Sequence, residues 1–304
     1  MGDRVRGHGA DQRRERSVQH QRARRRSVMT QLPSLMTYGV TGRLGRLLVP
    51  AWGDHVSCLA RAPAPSSPIE KLDLEDQQGW SALPTTDAFL LLAGATALGE
   101  GDEASHAELA EKASDLCRSK GIRHLMLMSS AAVYGRMDPP LTESRVPRPE
   151  SIYGAAKLQL ETRARTLAGN DLSITVLRLG NVAGADALLG GMTAGSVSLD
   201  QFPDGRSPRR SYIGPKTLAH MLRVLARRPE VPFRILNLAE PGPVEMANLV
   251  RAAGAQVIPR AAPPQAIAEV SLDLTALIAA LGEELPEADP QTMVREWRAL
   301  EEQL

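Results

Sequence analysis

From Leu32 onward the chain alternates short apolar runs with stretches of helical spacing. Leu35–Tyr38 reads as a strand that enters a glycine-rich turn and then a helix over residues 45–51. Residues 55–60 read as a second strand, and Pro63, Pro65 and Pro68 mark the loop after it. Residues 88–93 form a continuous apolar run, the pattern of a strand buried on both faces. Glu103–Lys120 carries Ala107, Leu109, Ala110, Ala113 and Leu116 near helical spacing, with Gly121 as its cap. Another buried strand is expected over 124–128, a helix over 153–167 and a strand over 173–177. This alternation predicts an α/β fold: a doubly wound parallel sheet with helices on both faces.

The pattern breaks after Asn181, where residues 184–210 are rich in Gly, Pro and Ser. Helix returns over 217–226, strand over 233–237 and helix over 244–253; the last forty residues read as two short helices around Pro286 and Pro290. The expected organisation is a nucleotide-binding domain from 31–183 plus 211–240. A small, discontinuous substrate domain from 184–210 plus 241–304 would sit over the carboxyl ends of the strands.

Composition narrows the class. The 304 residues carry a formal charge of +1, which gives no general pull toward nucleic acid or membrane. Residues 1–28 hold nine Arg and three acids, so the body of the chain is net −5. The segment 1–30 lacks large apolar residues and is expected to be disordered. It can be read as a binding arm, a transit peptide, a solvated tail, or sequence upstream of a start at Met29. With no apolar run of membrane-spanning length and no apolar segment of secretory type, a cytoplasmic protein is expected. Cys58 and Cys117 have no disulfide-framework or zinc spacing. None of His55, His106, His124 and His220 pairs with another at metal-ligand spacing, so no metal is expected.

Three short motifs carry candidate chemistry. Gly39-Val-Thr41-Gly42-Arg43-Leu44-Gly45 follows a predicted strand and opens a predicted helix. Glycines at these places permit a tight turn, let backbone approach a pyrophosphate and pack helix against strand. The helix N-terminus then offers free N–H groups to phosphate. Tyr153 and Lys157 stand one helical turn apart and face the same way. A neighbouring ammonium favours phenolate, so such a pair can move a proton at a substrate oxygen while hydride moves at carbon. Ser129 and Ser130 lie at the carboxyl end of a buried strand, where a parallel sheet exposes its site, and Ser130 can orient the substrate oxygen. Taken singly, each motif is a weak signal; their order and context fit one mechanism.

Together these segments resemble an extended short-chain dehydrogenase/reductase of the NAD-dependent epimerase/dehydratase family, over roughly residues 32–304. The likeness includes the Leu92-Ala93-Gly94 strand end, Leu177-Arg178-Leu179-Gly180-Asn181-Val182, Asp204-Gly205 and Arg209-Arg210-Ser211-Tyr212-Ile213. It implies a Rossmann fold and an NAD(P)-dependent oxidoreductase or epimerase with Ser130, Tyr153 and Lys157 as the catalytic set. It places Asp73 and Leu74 beside the adenine, and Ser130, Ala131, Asn181 and Arg210 on the substrate side. It also implies a homodimer built on the helices near 103–120 and 153–167.

The departures are informative. Members that prefer NAD end the second strand with an acid; here Ala60 and Arg61 stand there, and Arg43 lies in the glycine turn. Nothing repels a 2′-phosphate and two guanidiniums can pair with it, so NADP is preferred over NAD. The Asp-Glu pair of the sugar-nucleotide dehydratases is Ala131-Ala132, which argues against dehydration. The usual His-Val-Asp-Asp stretch reads Gly214-Pro215-Lys216-Thr217. Arg209 and Arg210 admit either an anionic group on a small-molecule substrate or simple solvation. The alternative to an enzyme is a non-catalytic NAD(P)-binding sensor, which usually lacks the Tyr or the Lys. A nucleic-acid role for the tail lacks an aromatic or helical reader beside the charges.

Overall fold

The computed structural model describes residues 32–65, 67–92, 103–192 and 195–304. The tail over 1–30 and the strand-end residues Ala93 and Gly94 therefore lie outside the described residues.

Seven parallel strands form the central sheet: β1 (Leu35–Tyr38), β2 (Val56–Ala60), β3 (Glu70–Lys71), β4 (Ala88–Leu91), β5 (His124–Ser130), β6 (Ser173–Leu179) and β10 (Phe233–Leu238), in the order β10-β6-β5-β4-β1-β2-β3. The chain works outward from β1 on one side, then crosses back to β4 on the other. The boundary between β1 and β4 is thus the switch point where such sheets bind ligands. The apolar runs arise because both faces are covered. Leu35, Leu90, Met126 and Leu177 point to one core cluster, and Met36, Phe89, Leu91, Leu125, Leu127 and Ile174 point to the other.

The first cluster is closed by α1 (Arg43–Trp52), α4 (Pro215–Leu225) and α6 (Thr275–Leu281). The second is closed by α2 (Glu103–Lys120) and α3 (Ile152–Leu167). A third cluster joins Ala183, Leu188, Leu189 and Leu199 to the buried faces of α5 (Met246–Ala252) and α7 (Pro290–Glu301). The Gly/Pro/Ser-rich segment contains β8 (Ser196–Gln201), which pairs in parallel with β12 (Gln256–Ala261). β9 (Arg209–Ile213) pairs with β7 (Asn181–Val182), β11 (Pro243–Glu245) and β13 (Glu269–Val270). The helix expected over 244–253 starts later, at Met246, because residues 243–245 are held extended against 209–211. Among the described residues no helix is long and apolar enough to cross a membrane. Cys58 and Cys117 are buried, and burial pushes both thiols up, Cys58 to about 11.

The stretch Gly214-Pro215-Lys216-Thr217 begins α4, whose first turn has no acid and no capping side chain of its own. Carboxylates arrive from elsewhere in the chain. Gly214 N donates to Glu240 at 2.9 Å, and Lys216 and Thr217 N donate to Glu296 of α7 at 2.9 and 3.2 Å. Burial, helped by the charges of Glu296 and Asp289, raises the Glu240 carboxyl to about 7, although the bond from Gly214 opposes it. The folded state therefore holds this proton more tightly than the unfolded chain. The group's contribution to stability is full below its ordinary value of 4.5 and is lost as pH rises toward about 7. Glu240→Gln, which imitates the protonated form, is expected to match the wild type near pH 4.5 and to melt higher than it above pH 7. Calorimetric Tm at both pH values checks this, and a constant difference between the two proteins would refute it.

Candidate active site

Strand β1 ends at Tyr38 and the chain turns at Gly39, whose φ of 91° favours glycine. Gly39 N donates to Leu59 O of β2 at 3.0 Å, and Leu92 N donates to Tyr38 O at 2.9 Å, so the turn is tied to both neighbours of β1. A Cβ on Gly45 would strike the Val40 backbone, which is why α1 can lie this close to the turn. At Gly42 the same atom would meet nothing within 4 Å. Gly42 is the N-cap of α1 and brings no side-chain cap, and the first turn has no acid. Open space before a helix N-terminus with free N–H groups, flanked by Thr41, Arg43 and Leu44, fits the pyrophosphate of a dinucleotide. Farther out, Asp73 follows β3 and its Oδ1 accepts from Glu75 N at 2.9 Å, while Leu74 is buried.

Strand β5 and helix α3 bring the other candidates together. Ser151 Oγ accepts from Gly154 N at 3.0 Å and so starts the helix. A Cβ on Gly154 would lie 2.6 Å from Ala132 O, so only glycine lets the helix rest on the turn after β5. One turn on, Lys157 Nζ donates to Met128 O at 3.0 Å. A further turn on, Glu161 accepts from Ser129 Oγ at 2.6 Å. The two contacts hold consecutive residues of β5 immediately before Ser130. Ser130 Oγ accepts from Ala132 N at 3.2 Å and also hydrogen-bonds the Tyr153 phenol. Ser130, Tyr153 and Lys157 thus meet at the carboxyl end of β5, with Ala131 and Ala132 in the adjoining turn.

The electrostatics of Tyr153 differ from the sequence-based expectation. Burial raises the phenol; the Ser130 hydrogen bond and the charge of Arg43 pull it back. The cation felt at the phenol is therefore Arg43 of the glycine turn. Lys157 Nζ is 5.7 Å from the centre of the ring, engages the strand carbonyl, and is itself lowered to about 8 by burial. Arg61, exposed just past β2, acts instead at Tyr38, whose phenol its charge pulls down against burial. The two arginines paired in the sequence argument thus act at different tyrosines.

On the opposite rim, Arg209 is neutralised by Glu269 at 2.7 Å. Arg210 is not: its guanidinium donates to Arg209 O and Ile267 O at 2.7 and 2.8 Å and meets no carboxylate among the described residues. Arg210 and Tyr212 share one face of β9. Tyr212 OH donates to Asp186 Oδ2 at 2.6 Å, and Asn181 hydrogen-bonds both, so this carboxamide is engaged within the protein.

The motifs overlooked a buried polar network behind the site. Arg178 in β6 holds Glu161 through both carboxylate oxygens, at 2.7 and 3.0 Å, with the two side chains 2% and 4% exposed. Its guanidinium lies 4.7 Å from the centre of the Tyr134 ring, and Tyr134 OH donates to Asn237 Oδ1 at 2.7 Å. A charged residue inside the apolar run Ser173–Leu179 is the signal that demands such a partner. Removing one member strands the other: Glu161→Ala is expected to cost about 3–5 kcal/mol in urea unfolding. Glu161→Leu combined with Arg178→Met should cost clearly less. Equal losses would show that packing volume, not charge pairing, holds this region.

A family model, "NAD dependent epimerase/dehydratase family", matches residues 35–197. A UDP-glucose 4-epimerase from Corynebacterium glutamicum is 38% identical over 78 residues, 25% of this chain. That match spans only 24% of the relative's own length. Among solved structures, the UDP-glucose-4-epimerase of Stenotrophomonas maltophila, with NAD and formylated UDP-arabinopyranose bound, aligns with a TM-score of 0.71 at 23% identity, over 89% of this chain and 98% of that one. TunA, an NAD dependent NDP-hexosamine 5,6-dehydratase, aligns with a TM-score of 0.68 at 19% identity, over 90% and 98%. These likenesses show a shared fold, and the family match covers more than half of the chain: this protein belongs to the NAD dependent epimerase/dehydratase family.

Proposed function

We propose that this protein is an NAD(P)-dependent enzyme that epimerises a nucleotide sugar through a transient ketone. The observation that carries the reading is the meeting of Ser130, Tyr153 and Lys157 beside the glycine turn, close enough for Arg43 of that turn to act on the phenol. The dinucleotide would be held by Gly39, Gly42 and the N-terminus of α1, with Asp73 and Leu74 on the adenine side and Leu92 just past β4. When bound, the nicotinamide takes and returns the hydride.

The chain's own residues do the rest. Ser130 holds the reacting sugar oxygen, and Tyr153 takes its proton as the carbonyl forms and returns it when the carbonyl is reduced. Lys157, anchored on Met128 O, would hold the nicotinamide ribose, and Arg43 supplies the charge that favours the phenolate. Arg210, which forms no ion pair among the described residues, would pair with an anionic group of the substrate, and the relatives' UDP-sugars carry diphosphates. Ala131 and Ala132 cannot transfer protons, which supports epimerisation over elimination of a hydroxyl group. The retention of both Tyr153 and Lys157 favours an enzyme over a sensor.

NADP is proposed over NAD because β2 ends in Ala60 with no acid and Arg61 stands exposed beside it. Arg43, which acts at Tyr153, drops out of this argument. Titration following nicotinamide fluorescence is expected to show NADPH bound more tightly than NADH, with the difference abolished in Arg61→Ala. A preference for NADH in the wild type would assign the cofactor as NAD instead. Tyr153→Phe is expected to bind cofactor as the wild type does but to lose about 10²–10⁴-fold in turnover of UDP-glucose. Full activity in that variant would refute the mechanism.

A further inference from the structure

The sheet has a second end, and it is basic. At the amino ends of β1, β2, β4 and β5, away from the glycine turn, the described residues line an open cavity of about 1180 Å³. Four arginines line it: Arg123, which precedes β5, and Arg223, Arg227 and Arg228, at and just beyond the C-terminal turn of α4. The body of the chain outside residues 1–28 carries a net negative charge, so this concentration runs against the average.

The ordinary uses of surface arginine do not account for it. None of the four makes an ion pair with a carboxylate among the described residues. Arg228 donates to Ser173 Oγ and Asn170 O, at 3.1 and 2.8 Å. The guanidiniums of the other three donate to no protein atom among the described residues, so these side chains do not cap the carbonyls that end α4. One of those carbonyls, Ala226 O, is occupied by the ring of His124 at 3.1 Å. Among the described residues the Nε of Arg223 is buried without a partner, a donor that calls for an acceptor. Two carboxylates, Asp54 and Asp87, line the same cavity. Asp87 is occupied, since its Oδ2 accepts from Ser34 N and Oγ at 2.8 and 2.7 Å. Four guanidiniums against two carboxylates leave the cavity positive.

We propose that this arginine-lined cavity is a second anion site, at the opposite end of the sheet from the cofactor cleft, which takes a small molecule carrying two or more linked phosphates. Guanidinium forks match phosphate oxygens two at a time, and several converging on one cavity favour a ligand with several charges over a single phosphate. Among the described residues no Phe, Tyr or Trp lines the cavity, so the phosphates and not a stacked base would carry recognition. The volume admits a ligand up to nucleotide size. The site does not depend on the reaction proposed above.

The test is calorimetric titration of the full chain with inorganic pyrophosphate and, separately, orthophosphate, at low and raised salt. The expected result is pyrophosphate binding at this cavity that weakens as salt rises and is preferred over orthophosphate. Arg223→Gln with Arg227→Gln should weaken it by at least about tenfold. Arg123→Gln with Arg227→Gln, confined to exposed side chains, should also weaken it and guards against misfolding in the first variant. Arg43→Gln with Arg210→Gln, at the other end of the sheet, should bind pyrophosphate as the wild type does. The proposal is overturned if the wild type binds no pyrophosphate, if orthophosphate binds equally well, or if only the Arg43 and Arg210 variant loses binding.

Discussion

The seating of helix α3 on strand β5 is the constraint on which the candidate site depends. Three contacts, one helical turn apart, make it. Gly154 lies against Ala132 O, Lys157 binds Met128 O and Glu161 binds Ser129. The first requires the absence of a side chain, the second a long cation and the third a carboxylate. Because they engage residues 128, 129 and 132 in sequence, the position of Ser130 relative to Tyr153 follows from backbone geometry and not from a flexible loop. Glu161 can be a buried anion only because Arg178 neutralises it from the neighbouring strand. The seating is therefore a property of α3, β5 and β6 together.

Charge is sorted in the same way elsewhere. Arg209 and Arg210 are adjacent, yet strand alternation sends them to opposite faces, and only Arg209 finds a carboxylate. Arg43 and Arg61 follow two neighbouring strands, yet one acts at Tyr153 and the other at Tyr38. At α4 the local sequence brings no acid, and Glu240 and Glu296 accept from the N–H groups at the helix start from other segments.

Much of the architecture was legible in the chain. Buried parallel strands are apolar on both faces and their connecting helices on one, so periodicity alone marks β1, β4, β5, β6, α2 and α3. The glycine turn, the strand-end serines and the Tyr/Lys pair were equally visible, because each needs a residue type at a short spacing. The strands β8 and β12 were not. Their burial is shallow, and they are held by pairing between segments about sixty residues apart, which leaves no local period. The start of α5 was misplaced for the same reason, since Val244 is drawn into a strand by Arg210.

The sequence by itself therefore determined the fold class, the alternation of strands and helices along the chain, and the residue types at the glycine turn and at the Ser, Tyr and Lys positions. These rest on local spacing and on which faces must avoid water. Only the tertiary structure decided which charges are paired, which cation acts on Tyr153, and that the amino ends of the strands gather arginines from distant segments. Electrostatic influence depends on distance and burial through space, and neither is encoded in the neighbours along the chain.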